Sequence, residues 1–291
     1  MRQGYVAFGV LLCTALGWAQ ADRNSQLRSA PFLDKPPGTR YKHRAPEEMM
    51  PVSDCEKLAE GVEHGDVLVS FCKWALTSRE RLPKLQVDEK IKRSAPGQYG
   101  SQPVETISML AHYGDEMVRY SNLKMSGKTT KTPILEYELN NGFLSTGELR
   151  GALEAVLMDG RNTSFKFAKD QKRGQGKRVL VYDFKISPGD NTSWVLMGAA
   201  RAVPGYKGKI SLDGDTGQPT RLEWETTELV PTSPRMDFSE EIDYENIHVS
   251  ENNELVLPVR AETRSSVTND DEVTNSLTNE ITFRNWRVEP K

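Results

Sequence analysis

The sequence contains few of the residues on which metal and hydrolase chemistry depends. It has 4 histidines and 3 cysteines in 291 residues, with no HExxH pair, no paired metal-ligand spacing and no GxSxG nucleophile turn. These absences predict that the protein holds no metal and no cofactor. They leave open a catalytic site whose residues come together only through folding. The histidines are His43, His64, His112 and His248.

The charge of the chain is close to balanced. The formal net charge is −3 and the sequence pI is about 5.9. Nucleic-acid-binding proteins usually present a strongly basic face, so we expect no nucleic-acid partner. The chain also lacks an apolar run long enough to cross the ~30 Å hydrocarbon layer of a membrane. We therefore expect no transmembrane span once the N-terminal segment described next has been removed.

The first 21 residues have the three parts of a secretion signal. Arg2 supplies a positive charge, residues 5–18 are mostly apolar, and Ala19-Gln20-Ala21 places small residues where signal peptidase reads them. We expect cleavage after Ala21 and a periplasmic or secreted mature protein. Residues 22–51 are rich in proline and charge and have no apolar period, which predicts a disordered leader.

The cysteines leave two states open. Lipidation of Cys13 would need a small residue before it, and the sequence has leucine there. We therefore expect Cys13 to be removed with the signal, so that the exported chain keeps Cys55 and Cys72. Residues 52–81 have helical character, with a break at residues 63–65. One continuous helix would hold the two cysteines roughly 25 Å apart, whereas a chain reversal at the break would let them meet. Both a disulfide and two thiols are compatible with this pattern.

Residues 82–291 are predicted to form an antiparallel domain that is mainly β with some α. Polar and apolar residues alternate in short runs that are separated by turn residues, and short connectors favour neighbouring antiparallel strands. The predicted strands are residues 82–93, 106–113, 117–125, 164–169, 177–187, 194–203, 207–212, 220–229, 239–249, 255–265 and 280–288.

One helix interrupts the strands, at residues 146–158. Ser145 and Glu148 form a capping box, in which each side chain satisfies a backbone donor at the start of the helix. The apolar residues behind it recur at helical spacing and share one face. We expect this face to lie against the apolar side of the sheet. Its apolar members in the candidate site are Leu149, Leu153, Val156 and Leu157.

The stretch LDGDTGQP, residues 212–219, is compatible with three structures. An aspartic protease would need a second Asp-Thr-Gly or Asp-Ser-Gly, and the chain has none. A calcium loop that began at Asp213 would need glycine at its sixth position and an acidic residue at its twelfth, where the sequence has Gln218 and Trp224. A hairpin turn needs only the alternating strands on either side, so we predict a turn.

Large apolar side chains recur on strands whose intervening residues are polar, which predicts a sheet with one apolar face. A filled core and a ligand cavity would use the same residues, and the pattern does not separate them. The residues are Trp194, Leu196, Ile210, Leu212, Leu222, Trp224, Tyr244, Phe283 and Trp286.

Two stretches carry a resemblance to a known family. Residues 206–222 contain a strand that ends in Asp213, a turn with Gly217 and a second strand that opens with Pro219-Thr220-Arg221, and residues 257–262 (LPVRAE) precede a last strand at residues 279–287. These stretches resemble the LolA/LolB-type lipoprotein carriers, the family of outer-membrane lipoprotein-sorting proteins, and the N-terminal domain of RseB. The resemblance implies a curved antiparallel sheet that forms an incomplete β-barrel, with helix 146–158 as its lid or plug.

These observations lead to an expected function. We expect an exported, non-enzymatic binding protein that sequesters a lipid, an acyl chain or a lipoprotein in an apolar cavity, with the lid helix packed against Trp194, Leu222 and Trp224. The alternative is a structural or interaction module of the envelope, with a filled core and a protein partner. An enzyme with a dispersed site is the third class.

Overall fold

The computed structural model of the protein describes residues 50–98, 100–114, 118–131, 153, 156–157, 163–187, 195–197, 200–202, 205–227, 235–268 and 274–290. The predicted signal peptide, and the predicted leader up to residue 49, lie outside these described residues. Within the described part of the chain, no helix has the length and apolar character needed to cross a membrane.

Helices open the described chain, and strands make up most of the rest. The α-helices are Cys55–Leu58 (α1) and Gly65–Arg81 (α2), and single 3-10 turns cover Val52–Asp54 and Gly174–Gly176. The protein is therefore mainly β, as the alternating pattern predicts. The strands are Leu85–Gly97 (β1), Gly100–Tyr113 (β2), Arg119–Met125 (β3), Lys128–Thr129 (β4), Thr163–Arg173 (β5), Lys177–Ile186 (β6), Val195–Met197 (β7), Ala200–Ala202 (β8), Tyr206–Asp213 (β9), Pro219–Thr226 (β10), Arg235–Ser250 (β11), Asn253–Thr268 (β12) and Thr274–Val288 (β13).

The strands form one curved antiparallel sheet and one small hairpin. The large sheet has 11 strands in the order β4-β3-β2-β1-β13-β12-β11-β10-β9-β6-β5, and β7 pairs with β8 in a separate two-stranded sheet. Sequence neighbours pair from β9 to β13 and from β1 to β4, as short connectors favour. The two runs meet where β1 pairs with β13. In the described residues β4 and β5 are the outer strands, so the sheet is not closed into a barrel.

One face of the large sheet carries the core, and we call it the inner face. Along β1 the buried residues are every second one, Leu85, Val87, Glu89, Ile91 and Arg93, because successive side chains of a strand point to opposite faces. Buried residues of β2, β6, β9, β10, β11, β12 and β13 join the same hydrophobic cluster. The opposite, outer face is largely polar.

Helix α2 covers part of this core, and a disulfide holds α1 against it. Cys55 and Cys72 are bonded, with their Cα atoms 5.7 Å apart, because the chain reverses between the two helices and brings the cysteines together. The hydroxyl of Tyr182, on β6, donates a hydrogen bond of 2.7 Å to the carbonyl oxygen of His64 in the reversal. Burial and the nearby Asp66 carboxylate raise the pKa of Tyr182 above its usual value, so this hydroxyl keeps its proton.

The stretch LDGDTGQP is a hairpin turn between β9 and β10, as predicted. The Asp213 carboxylate accepts hydrogen bonds from the backbone N–H groups of Asp215 (3.1 Å) and Thr216 (2.9 Å). Gly217 has a φ of 73°, and a Cβ there would lie 2.7 Å from the Cβ of Ser70. Glycine therefore serves both the turn and the close approach of α2.

The structure corrects one predicted strand. Residues 194–203 do not form a single strand of the large sheet, because β7 and β8 fold back and pair with each other at Val195 and Ala202. Leu196 therefore lies outside the large sheet, although its sequence pattern placed it there. Trp194 lies outside the described residues.

Helix 146–158 is described only at three positions. Leu153, Val156 and Leu157 are α-helical and buried, with 4%, 3% and 1% of their surface exposed. They belong to the same apolar cluster as the inner face of the sheet. The Thr163 hydroxyl donates a hydrogen bond of 3.0 Å to the carbonyl oxygen of Val156, which ties this segment to the start of β5. Leu149 and the capping box lie outside the described residues.

Candidate functional site on the inner face

An unbroken apolar row crosses the inner face. Each member lies opposite the next in the register of adjacent strands, and none is more than 1% exposed. With neighbouring strands about 4.8 Å apart, the row follows the curved sheet for about 34 Å. We call it the apolar row. Its members are Tyr182, Ile210, Leu222, Ile242, Ala261, Ile281, Ile91 and Ile107.

A row of polar side chains lies beside the apolar row, two residues further along each strand. These residues are also opposite one another in register, and four of the five are at least 96% buried. Two residues of a strand span about 7 Å, so the two rows are immediate neighbours. We call this second row the polar band. It consists of Glu240, Thr263, Asn279, Arg93 and Glu105.

Hydrogen bonds connect most of the polar band. Arg93 donates to the amide oxygen of Asn279 (3.2 Å) and to the carboxylate of Glu105 (3.3 Å). The Asn279 side-chain nitrogen donates to the Thr263 hydroxyl at 3.1 Å. Buried polar groups are costly unless they are bonded in this way. Arg93 and Glu105 thus form an ion pair, with side chains 1% and 16% exposed, that lies inside the sheet next to an apolar surface.

Aromatic side chains extend the site on the far side of Glu240. Trp224 lies opposite Glu240 and donates a hydrogen bond of 2.9 Å from its indole nitrogen to that carboxylate. Its ring packs edge-on against Tyr206, with ring centres 4.8 Å apart, and lies 5.1 Å from Phe238. The polar band therefore passes directly into an aromatic cluster, so polar and apolar surfaces adjoin within one site.

The outer face differs in kind from this site. The Arg221 guanidinium, on β10, contacts the carboxylates of Glu223, Glu241 and Asp243. Burial lowers the pKa of Arg221, but the hydrogen bonds and charges of Glu223 and Asp243 outweigh it and the pKa lies above its usual value. Such charge clusters suit a solvated surface, whereas the inner face combines buried charge with buried apolar area.

The structure places most of the sequence-predicted site residues in the core. Ten of the thirteen belong to the apolar cluster or pack against it, while Leu149 and Trp194 lie outside the described residues and Leu196 is in the β7–β8 hairpin. That they line a ligand cavity stays a prediction. The ten are Leu153, Val156, Leu157, Ile210, Leu212, Leu222, Trp224, Tyr244, Phe283 and Trp286.

Sequence reasoning missed the polar band. Arg93 and Asn279 are polar residues in largely polar runs, and the sequence pattern predicts neither as a site residue. The alternation of β1 could have revealed it, because Arg93 is two residues beyond Ile91 and its side chain therefore lies on the same face. The described residues contain no group of three or more potential metal ligands.

Fold and site define a mainly β protein that is built on one curved antiparallel sheet, with polar and apolar rows side by side on its buried face. No family model matches the chain, and no curated protein matches it. Among solved structures it is similar to a DUF1329 family protein from Desulfovibrio piger, at 10% identity and a TM-score of 0.33, over 82% of this chain and 93% of that chain.

Proposed function

We propose that the protein is an exported binding protein that sequesters an amphiphile, such as a lipid or the acyl chain of a lipoprotein, against the inner face of its sheet. The observation that carries the proposal is the adjacency of the apolar row and the polar band. An amphiphile joins an apolar chain to a polar head, and these two rows offer each part a matching surface. No bond of the ligand is broken in this function.

The apolar row supplies the driving force. Each CH₂ group that leaves water contributes about 0.8 kcal/mol, so a chain of ~14 carbons contributes about 11 kcal/mol before the costs of ordering. Ile281 and Ile91, toward the Ile107 end of the row, adjoin Asn279 and Arg93 of the polar band. A chain that lies along the row would bring its head group to these polar side chains.

The segment that contains Leu153, Val156 and Leu157 is the proposed lid. Its three described residues are helical and buried with the inner-face core. An amphiphile can reach the apolar row only if such a cover moves away, because the row is fully buried as the structure stands. Lid opening would then control both loading and release.

Export fits both the N-terminal sequence and the disulfide. Residues 1–21 have the pattern of a cleaved signal. The bonded Cys55 and Cys72 suit an oxidising compartment, since disulfides are rare in reducing ones. Both features support the proposal that the mature protein acts in the periplasm or outside the cell.

Two measurements test the binding function. Protein purified without detergent is examined by native mass spectrometry for a retained lipid, and delipidated protein is titrated with a fluorescent fatty acid while tryptophan emission is followed. We expect a bound mass, or saturable probe binding with quenching of Trp224 and Trp286. Folded protein that retains no lipid and takes up no probe would overturn the proposal.

A matched pair of variants locates the ligand. Ala261 is the smallest member of the apolar row, so Ala261→Leu reduces the space above the row and should weaken probe binding at least tenfold. Thr282→Leu adds similar bulk on the outer face, next to Ile281, and should leave binding unchanged. Circular dichroism confirms that both variants are folded. Equal effects of the two substitutions would place the probe elsewhere.

A second candidate function is an interaction module of the envelope with a filled core. Aromatic packing on the inner face favours this candidate. The ring centre of Trp286 lies 5.6 Å from that of Tyr113 and 6.1 Å from that of Phe283, as in a packed interior. In that case the detergent-free protein would carry no lipid. It would instead form a stoichiometric complex with one envelope protein.

A further inference from the structure

Three side chains on the outer face form a relay of hydrogen bonds. The Ser121 hydroxyl oxygen lies 2.8 Å from Nε2 of His112. Nδ1 of the same imidazole lies 3.0 Å from a carboxylate oxygen of Glu289. A hydroxyl on one ring nitrogen and a carboxylate on the other is the arrangement by which a histidine activates a serine nucleophile.

Two β-bulges create this arrangement. The first bulge is in β3. Ser108 of β2 pairs with Lys124 and Leu110 pairs with Ser121, so β3 has one extra residue between these pairs, and Asn122 there has a φ of 56°. Tyr120 lies opposite the buried Ala111, and Leu123 is itself buried, so these two side chains share the inner face although they are three residues apart. Without the extra residue at Asn122, Ser121 would share the inner face with Leu123.

The second bulge, in β13, brings the Glu289 carboxylate to the outer face. The pairing of β1 with β13 shifts between Gln86 and Asp88, beside Asn285, whose φ is also 56°. Phe283 and Trp286 are both buried despite their odd spacing. The shift therefore sends Glu289 to the outer face, on the same side as His112. Asparagine adopts positive φ more readily than most non-glycine residues, so Asn122 and Asn285 suit these two bulges.

The carboxylate is held in place by more than the histidine. The backbone N–H of Glu289 donates to the carbonyl oxygen of Lys84 at 2.8 Å, and Gln86 donates to its carboxylate at 3.3 Å. The hydrogen bond to His112 lowers the pKa of Glu289, burial opposes it, and Gln86 and the charge of Arg119 lower it further. A carboxylate oxygen faces Nδ1, so an N–H at Nδ1 has an acceptor there and Nε2 is left to accept the Ser121 proton.

We propose that Ser121, His112 and Glu289 form a hydrolytic site for carboxylic esters, separate from the inner-face site. Ser121 and His112 are its catalytic residues, and Glu289 is a positioning residue. Ser121 is partly exposed, and the His112 and Glu289 side chains are 17% and 19% exposed. A substrate can therefore reach the hydroxyl from solvent while the relay beneath it stays partly shielded.

The proposed reaction has two balanced steps. Oγ of Ser121 attacks the ester carbonyl carbon while its proton moves to Nε2 of His112; the ester C–O bond then breaks, and the alcohol leaves with that proton. Water next attacks the acyl-serine, gives a proton to Nε2 and releases the carboxylic acid as Ser121 regains its proton. Water is the only co-reactant, and no oxidant or reductant is needed.

The test uses the full purified chain, with p-nitrophenyl acetate as substrate and a fluorophosphonate as covalent probe. We expect steady hydrolysis and a probe adduct that peptide mass spectrometry maps to Ser121. Ser121→Ala should abolish the adduct, and both Ser121→Ala and His112→Asn should lower kcat/KM by at least about 100-fold. Ser108→Ala removes another hydroxyl from the same face and should change neither readout.

A structural role for the relay would give different results. Glu289→Gln should lower kcat with little change in KM, and Glu289→Asp should recover part of the loss, because only the ionised carboxylate orients the imidazole. Thermal unfolding of each variant separates loss of fold from loss of activity. Wild-type protein that is folded, hydrolyses no ester and takes up no probe overturns the proposal, as does an adduct that survives Ser121→Ala. Lipid retention by the inner face bears on neither result.

Discussion

Arg93 of β1 donates a hydrogen bond of 3.2 Å to the side chain of Asn279 of β13, across 186 residues of sequence. The two residues lie opposite each other where the first strand of the sheet meets the last. Asn279 also donates to Thr263, so a single amide connects three strands inside the core.

Replacement of Asn279 tests this junction. Asn279→Ala leaves two buried partners, Arg93 and Thr263, without the amide, and an unsatisfied buried polar group costs about 1–3 kcal/mol. We expect the free energy of unfolding in urea to fall by about that amount. Asn246→Ala, at an exposed position of β11, should change it by no more than about 0.5 kcal/mol. A loss of similar size in both variants would contradict the assigned role of the polar band.

Reduction should destabilise the protein. The disulfide joins Cys55 to Cys72 across 17 residues, and closing a loop of this size in the unfolded chain is worth about 3 kcal/mol. The midpoint of urea unfolding should therefore drop when dithiothreitol is added. The double variant Cys55→Ser/Cys72→Ser should match the reduced protein and show no response to the reductant. An unchanged midpoint for the wild type would be inconsistent with this expectation.

Gly208 of β9 should not tolerate a side chain. A Cβ there would overlap the carbonyl oxygen of Glu223 on the paired strand and would lie 2.8 Å from the Phe184 ring, so the backbone itself would have to move. Gly208→Ala should lower stability by about 1–3 kcal/mol, the usual cost of overpacking. Gly174→Ala is the control, because a Cβ at that position meets nothing within 4 Å. Thermal unfolding of the two variants gives the comparison.

The turn between β9 and β10 should contribute stability that depends on pH. Burial raises the pKa of Asp213, but hydrogen bonds from Thr216 and Asp215 outweigh it and hold the pKa below its usual value. A carboxylate with a lowered pKa in the folded state stabilises fully above its unfolded pKa, about 3.9, and loses that contribution as the pH falls through the folded value.

Asp213→Asn removes this charge and provides the measurement. The variant should have a lower free energy of unfolding in urea than the wild type at pH 6. This difference should shrink as the pH falls toward about 3. Asp215→Asn supplies the control, since its carboxylate receives none of these hydrogen bonds. A gap between wild type and Asp213→Asn that stays constant across this range would rule out the contribution of the charge.

Local patterns in the sequence predicted much of the fold, because alternation and turn residues act over a few positions. The hairpin at Asp213 follows from alternating strands on either side of a glycine-containing turn, and β1 and β13 overlap the strands predicted at residues 82–93 and 280–288. The pairing of β1 with β13 was not predicted, since it joins the two ends of the domain and depends on how whole strands assemble.

The bulges explain most of what the pattern missed at the sites. Asn122 and Asn285 each insert one residue that reverses the phase of a strand, and a strict alternation places the residues beyond them on the wrong face. Ser121 and Glu289 therefore looked unrelated in the sequence. The predicted position of Leu196 was wrong for another reason. A run of ten residues with strand character, residues 194–203, folds back and forms the β7–β8 hairpin.

The position of β1 between β2 and β13 also constrains how the protein is made. A ribosome or a secretion channel delivers the N-terminal end first, so β1 through β4 emerge long before the strand that must lie beside β1. Until β13 arrives, the hydrogen-bonding edge of β1 lacks its permanent neighbour and can pair with another chain. Premature termination near residue 270 should therefore yield an aggregating product rather than a smaller folded one, because pairing of β13 with β1 is the step that joins the two halves of the sheet.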